Sequence, residues 1–175
     1  MHILKVHTVS SRQEDTFDVH WSNTQLHPRG VIRVKVAARI EDRAIAAELC
    51  ALKHLLEHKE VLGNNLVGSG DIHLVVSLGA IRKLQRRQSD KVHLAPYANF
   101  LTTRFAACRL SVAKDARWFD GIPPETIEHL VVAGPQRETL TVTGIGEVAV
   151  TQHVLERYID RFLPDVDQTN VMREA

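Results

Sequence analysis

The chain has 175 residues, 44% of them hydrophobic, and a formal net charge of +1, which suits one domain of ordinary size with a single core. No run of about 20 apolar residues is present to span a bilayer, and MHILKVHTVSS lacks the basic, apolar, small-residue order of a secretory signal. The two cysteines, Cys50 and Cys108, sit within apolar patterns rather than in a framework of spaced pairs, so the expectation is a reducing, cytoplasmic setting with no membrane partner.

Alternation of apolar and polar residues predicts strands over 3–10, 17–21 and 31–40, with Pro28-Arg29-Gly30 turning the chain between the last two. Short links between consecutive strands favour an antiparallel meander. Asp42 is placed to cap a helix over 43–61, where Ile45, Leu49, Leu52 and Leu56 recur on one face. The run IHLVVS over 72–77 reads as a strand buried on both faces and paired in parallel with the first strand. A short helix is expected over 79–88, and another from Pro96 to Arg104 through the spacing of Tyr97, Phe100, Leu101 and Phe105. Cys108, Leu110 and Val112 alternate as a fifth strand.

Asp120-Gly121-Ile122-Pro123-Pro124 is the clearest punctuation and marks a boundary. Beyond it the pattern predicts a short helix from 124 to 132, a hairpin of 139–143 and 147–150 around Gly144-Ile145-Gly146, and a helix over 151–162 capped by Thr151. The expected organisation is a core at 1–120, a hairpin-helix extension at 121–163 and a tail at 164–175 too poor in apolar residues to fold alone.

Charge is uneven. Residues 1–78 carry no net charge, 79–117 carry +7 and 118–175 carry −6. The middle segment suits a polyanion, because neutralised phosphates release counterions. Within GAIRKLQRRQ, Arg82 and Arg86 are four residues apart, as are Lys83 and Arg87, which forms two adjacent cationic stripes that Lys91 extends. The acidic C-terminal region is a candidate surface for a protein partner.

The element order, with the helix AAELCALKHLL, the strand-to-helix step IHLVVSLGAIRKL and the step from YANFLTTRF to CRLSV, resembles the ribonuclease H-like superfamily over about two thirds of the chain. The resemblance implies an α/β fold with a mixed sheet: a five-stranded core with helices, followed here by the hairpin and helix. In active members, acids from the first strand, the first helix, the fourth strand and a late helix gather around two divalent metals. Glu48 matches the helix glutamate, but Thr8-Val9-Ser10-Ser11 and Ser77-Leu78 stand where the first and fourth strands would supply acids. Asp115 and Asp120 are the candidates for the late carboxylate, with Asp18 a further acid from an unexpected place. Without such partners, Glu48 reads as a solvent-facing helical glutamate.

The expectation is therefore a nucleic-acid-binding protein whose catalytic carboxylates are degenerate. One alternative is a magnesium-dependent nuclease built on Glu48 with Asp115 and Asp120. Another is a protein-interaction module of a phage or mobile element. Two further motifs compete. His54-Leu55-Leu56-Glu57-His58 matches an H-x-x-E-H zinc pattern inside an ordinary core helix. VTQHVLERYIDRF is similar to an H-x-x-x-R-x-x-x-R helix of bacterial proteins related to mRNA-cleaving toxins, which makes His153, Arg157 and Arg161 candidates for a phosphate or partner contact.

Overall fold

The computed structural model describes residues 2–23, 29–59, 69–121, 123–124, 127–135 and 138–150. Among these, β1 (His2–Ser10), β2 (Thr16–Asn23) and β3 (Arg29–Val36) form the antiparallel meander that alternation predicts. Helix α1 (Arg43–Lys53) follows, and β4 (Ile72–Val76) then pairs in parallel with β1. Helix α2 (Gly79–Gln85), a 3-10 stretch at Val92–Ala98 and one α-turn, α3 (Asn99–Thr102), lead to β5 (Arg109–Val112), parallel to β4.

The 124–132 segment differs from expectation. It is a strand, β6 (Ile127–Val132), that pairs in parallel with β3, so the mixed sheet has six strands among the described residues, in the order β5-β4-β1-β2-β3-β6. Its alternation is genuine: Val132 is buried while Ile127 and Val131 are exposed, as suits a half-covered edge. The sheet thus continues past the Asp120–Pro124 punctuation. Strands β7 (Glu138–Val142) and β8 (Gly146–Val150) form the expected hairpin, where Gly144 and Gly146 adopt the positive φ values its turn needs.

Strand alternation divides the sheet into an inner and an outer face. Leu4, Val6, Val19, Ile32, Val34, Leu74 and Val76 turn inward and are buried with Ile45, Leu49 and Leu52 of α1. Tyr97, Phe100, Leu101 and Phe105 also reach this core, as their spacing foretold, although the helix expected from Pro96 does not form as such. Pro96 instead lies inside the 3-10 stretch, where its missing N–H is tolerated more readily than within an α-helix.

Two features of the long first helix also depart from expectation. Asp42 is at its N-terminus with φ 57° and makes no side-chain capping bond; its carboxylate instead meets Lys91 and His93 at 3.1 and 3.2 Å. At the other end, His54–His58 form a π-helical turn, closed by the Lys59 amide donating to the His54 carbonyl. The wider turn lets the adjacent Leu55 and Leu56 both bury.

Candidate functional site

Glu48 is not solvent-facing: it is 0% exposed, on the inward side of α1. The parallel ladder between β1 and β4 ends at Lys5 and Val75, and beyond it the strands are tied by side chains. The Thr8 amide donates to Ser77 Oγ at 3.1 Å. Glu48 Oε1 accepts from the Ser77 amide at 2.7 Å and the Leu78 amide at 3.3 Å. Its Oε2 accepts from the Thr8 hydroxyl and from Ser77 Oγ, the latter at 2.5 Å. An ionised carboxylate has about four acceptor sites, and this one has four donors. Desolvation is thereby offset with no charged partner among the described residues.

Three of the four elements that the resemblance singles out thus meet in space, through one acid and two hydroxyls. The candidate late carboxylates do not join them. Asp115 is exposed and gripped by Arg117, whose Nε and Nη2 each lie 3.0 Å from a carboxylate oxygen. These bonds, assisted by nearby Lys5, hold its carboxyl down at about 2. Lys5 lies on the outer face of β1, since it alternates with inward Leu4 and Val6, so Asp115 and Glu48 are on opposite sides of the sheet. Asp120 is exposed. Asp18 is also outward and forms a two-point pair with Arg33, at 2.8 and 3.1 Å.

Among the described residues no three histidine, cysteine or acidic side chains are placed to share a metal. Magnesium needs several oxygen ligands and charge balance, whereas the lone pairs of Glu48 already face N–H and O–H donors. The residues present do not fit a two-metal centre around Glu48. Nor do the residues of the H-x-x-E-H motif face a common ion: His54 Nε2 lies 3.1 Å from Glu128, and Glu57 is 3.1 Å from Lys53 and 3.3 Å from Arg104. The π-helical turn also replaces the α-helical geometry that would align such ligands. The His58 side chain lies outside the described residues.

Helix α2 presents a different surface. Ile81 and Leu84 are buried, which turns Arg82, Lys83 and Arg86 outward, and all three are exposed. None of these three side chains has a carboxylate partner among the described residues. Arg87, exposed just past the helix, has φ 57° and directs Nη2 toward the Thr102 carbonyl at 3.5 Å. Lys91 is less available because Asp42 lies 3.1 Å from it. That bond outweighs burial and, with His93, holds the Asp42 carboxyl below its usual range.

Sequence reasoning missed the outer-face cluster. Phe119 stacks on His20 with ring centroids 3.9 Å apart and touches His7 at 5.3 Å, while Lys5 lies over the Trp118 ring at 5.6 Å. The only sequence signal was Trp118-Phe119 in a polar stretch after β5. Burial pushes the His20 imidazole down, against the pull of Asp18. Cys50 is equally unsuited to thiolate chemistry, since burial pushes its thiol up to about 12. The remaining candidates, His153, Arg157 and Arg161, lie outside the described residues, as does the 151–162 helix expectation.

No helix among the described residues is long and apolar enough to cross a membrane. In comparisons with known proteins, no family model matches the chain, and neither a curated protein nor a solved structure gives a significant match.

Proposed function

We propose that this protein binds nucleic acid through the exposed face of α2, carried on a catalytically degenerate ribonuclease H-like core. The observation that carries the reading is the outward row of Arg82, Lys83 and Arg86 without carboxylate partners among the described residues, in a segment of net charge +7. Like charges at helical spacing repel one another, and a polyanion relieves that repulsion while releasing its own counterions. Arg87 continues the row toward the 92–102 segment.

Two features support the core assignment. The order β5-β4-β1-β2-β3 places an antiparallel meander beside two parallel strands, as the resemblance implies. Thr8, Glu48 and Ser77 converge from the first strand, the first helix and the end of the fourth strand, which are three of the four elements that carry acids in active members. Hydroxyls at two of those places turn a metal-binding arrangement into a hydrogen-bonded tie. Binding without cleavage follows from that exchange, and it disfavours the magnesium-nuclease alternative.

The test is fluorescence anisotropy with labelled DNA and RNA oligonucleotides over a series of salt concentrations. Changing Arg82, Arg86 and Arg87 together to Ala is expected to weaken binding about 30-fold at low salt and to flatten the salt slope by about 2–3. Binding that ignores both salt and this triple substitution would overturn the reading.

A further inference from the structure

Beside the cationic row, a cleft of about 250 Å³ opens between α2 and the 92–102 segment. Its apolar wall is formed by Leu84, Val92, Ala95 and Ala98. Arg87, Lys91, Ser89 and Asn99 supply charge, a hydroxyl and an amide around the same space. An apolar wall with a few convergent polar groups is the usual make-up of a small-ligand site. The volume falls just short of the roughly 300 Å³ at which sites for drug-sized ligands begin, so it suits one compact group.

We infer that this cleft receives a single nucleotide unit of the bound strand, its phosphate on Arg87 and its base between the apolar wall and Asn99. The inference rests on the nucleic-acid reading above and adds a subsite to it. The phosphate is assigned to Arg87 because a planar guanidinium can give a phosphate two-point, charge-assisted bonds. Lys91 offers only a point charge and is engaged by Asp42 at 3.1 Å. The apolar wall has no use for inorganic phosphate but can cover the face of a base, while the Asn99 amide carries both a donor and an acceptor for a base edge. Continuity supports the same occupant: α2 gives Leu84 to the cleft and Arg82, Lys83 and Arg86 to the surface, so a strand following those cations passes the cleft mouth. A base held there must leave the stack of a duplex, so the subsite favours single strands or ends.

The experiment is NMR titration of the full chain with adenosine monophosphate and, separately, with inorganic phosphate. It is paired with anisotropy on single-stranded and blunt duplex oligonucleotides. Ala95 is exposed, so Ala95→Trp can narrow the cleft without disturbing the core; Asn99→Asp adds a negative charge with little change of shape. Expected results are amide shifts confined to residues 84–102 with the nucleotide, weaker ones with phosphate alone, and about a tenfold loss of nucleotide affinity in either variant. Single-strand affinity should fall in both while duplex affinity and its salt slope hold. Absence of shifts in 84–102, or a nucleotide affinity unchanged by both variants, overturns the inference. If Arg82→Ala with Arg86→Ala, which spares the cleft, leaves oligonucleotide binding intact while the nucleotide still shifts residues 84–102, the α2 reading fails and the subsite stands; the reverse outcome removes the subsite alone.

Discussion

Glu48 and the helix α2 that carries the cations are far apart in the chain but meet in space, since Glu48 accepts hydrogen bonds from Ser77 and Leu78, the two residues just before α2. They nonetheless meet opposite demands. The carboxylate is fully buried and satisfied from within by four donors, so it serves the fold. The cations of Arg82, Lys83 and Arg86 are exposed and have no carboxylate partner among the described residues, so they are available to something outside. Burial with complete hydrogen bonding marks a structural polar group, and exposure with unbalanced charge marks a surface suited to an ionic partner.

The sharpest way to break this comparison is Glu48→Leu. It would leave two amides and two hydroxyls without their acceptor, for a loss of about 3 kcal/mol, or roughly 6–12 °C in Tm for a chain of this size. Glu48→Gln should cost less, because the amide oxygen can still accept from Ser77 and Leu78 while the hydroxyls rotate to accept from its NH₂. Thermal melts would measure both, and the salt slope of nucleic-acid binding should remain that of the wild type. A Glu48→Leu protein as stable as the wild type would remove the structural role.

A smaller effect tests the outer face. The His20 imidazole is pushed down from its ordinary value of 6.5, by burial first and by His7, against the opposing pull of Asp18. The unfolded chain therefore takes up a proton before the folded one does. The stability that neutral His20 contributes is complete above about pH 6.5 and declines as pH falls toward the folded value. His73 is pushed down as well, by burial and then by Arg109, and adds to the same trend. Between pH 7 and pH 5 the Tm should fall in part through His20, and His20→Gln should flatten that part of the profile. Melts across this range check it, and a slope unaltered by the substitution would sink the assignment.

The smallest effect belongs to the half-buried, outward-facing two-point pair of Asp18 and Arg33. Asp18→Asn should move Tm by only about 1 °C, and less in high salt. A large change would mean that outward charges on this sheet are structural too, and the contrast between the two regions would lose its basis.

Much of the frame was legible in the residues. Period-two runs located β1, β2, β3 and β5, and the unbroken IHLVVS run gave β4 and its parallel pairing with β1, because a strand covered on both faces needs no polar side. The IEHLVV stretch also alternates, and only its pairing with β3 distinguishes an edge strand from the short helix expected there. Asp42 resembled a helix cap in sequence, yet Lys91 and His93, about 50 residues away, claim its carboxylate. Glu48 looked outward because sequence offered it no partner acid, whereas its partners are the hydroxyls and amides of Thr8, Ser77 and Leu78.

Short-range pattern was enough to locate the first five strands and the hairpin, the apolar stripe of α1 and the cationic face of α2, since each depends on a repeat or turn a few residues long. Tertiary structure alone decided the burial of Glu48, the sixth strand and the cleft beside Arg87. Each of these depends on groups far apart in the chain that come within hydrogen-bond or contact distance only when the sheet forms.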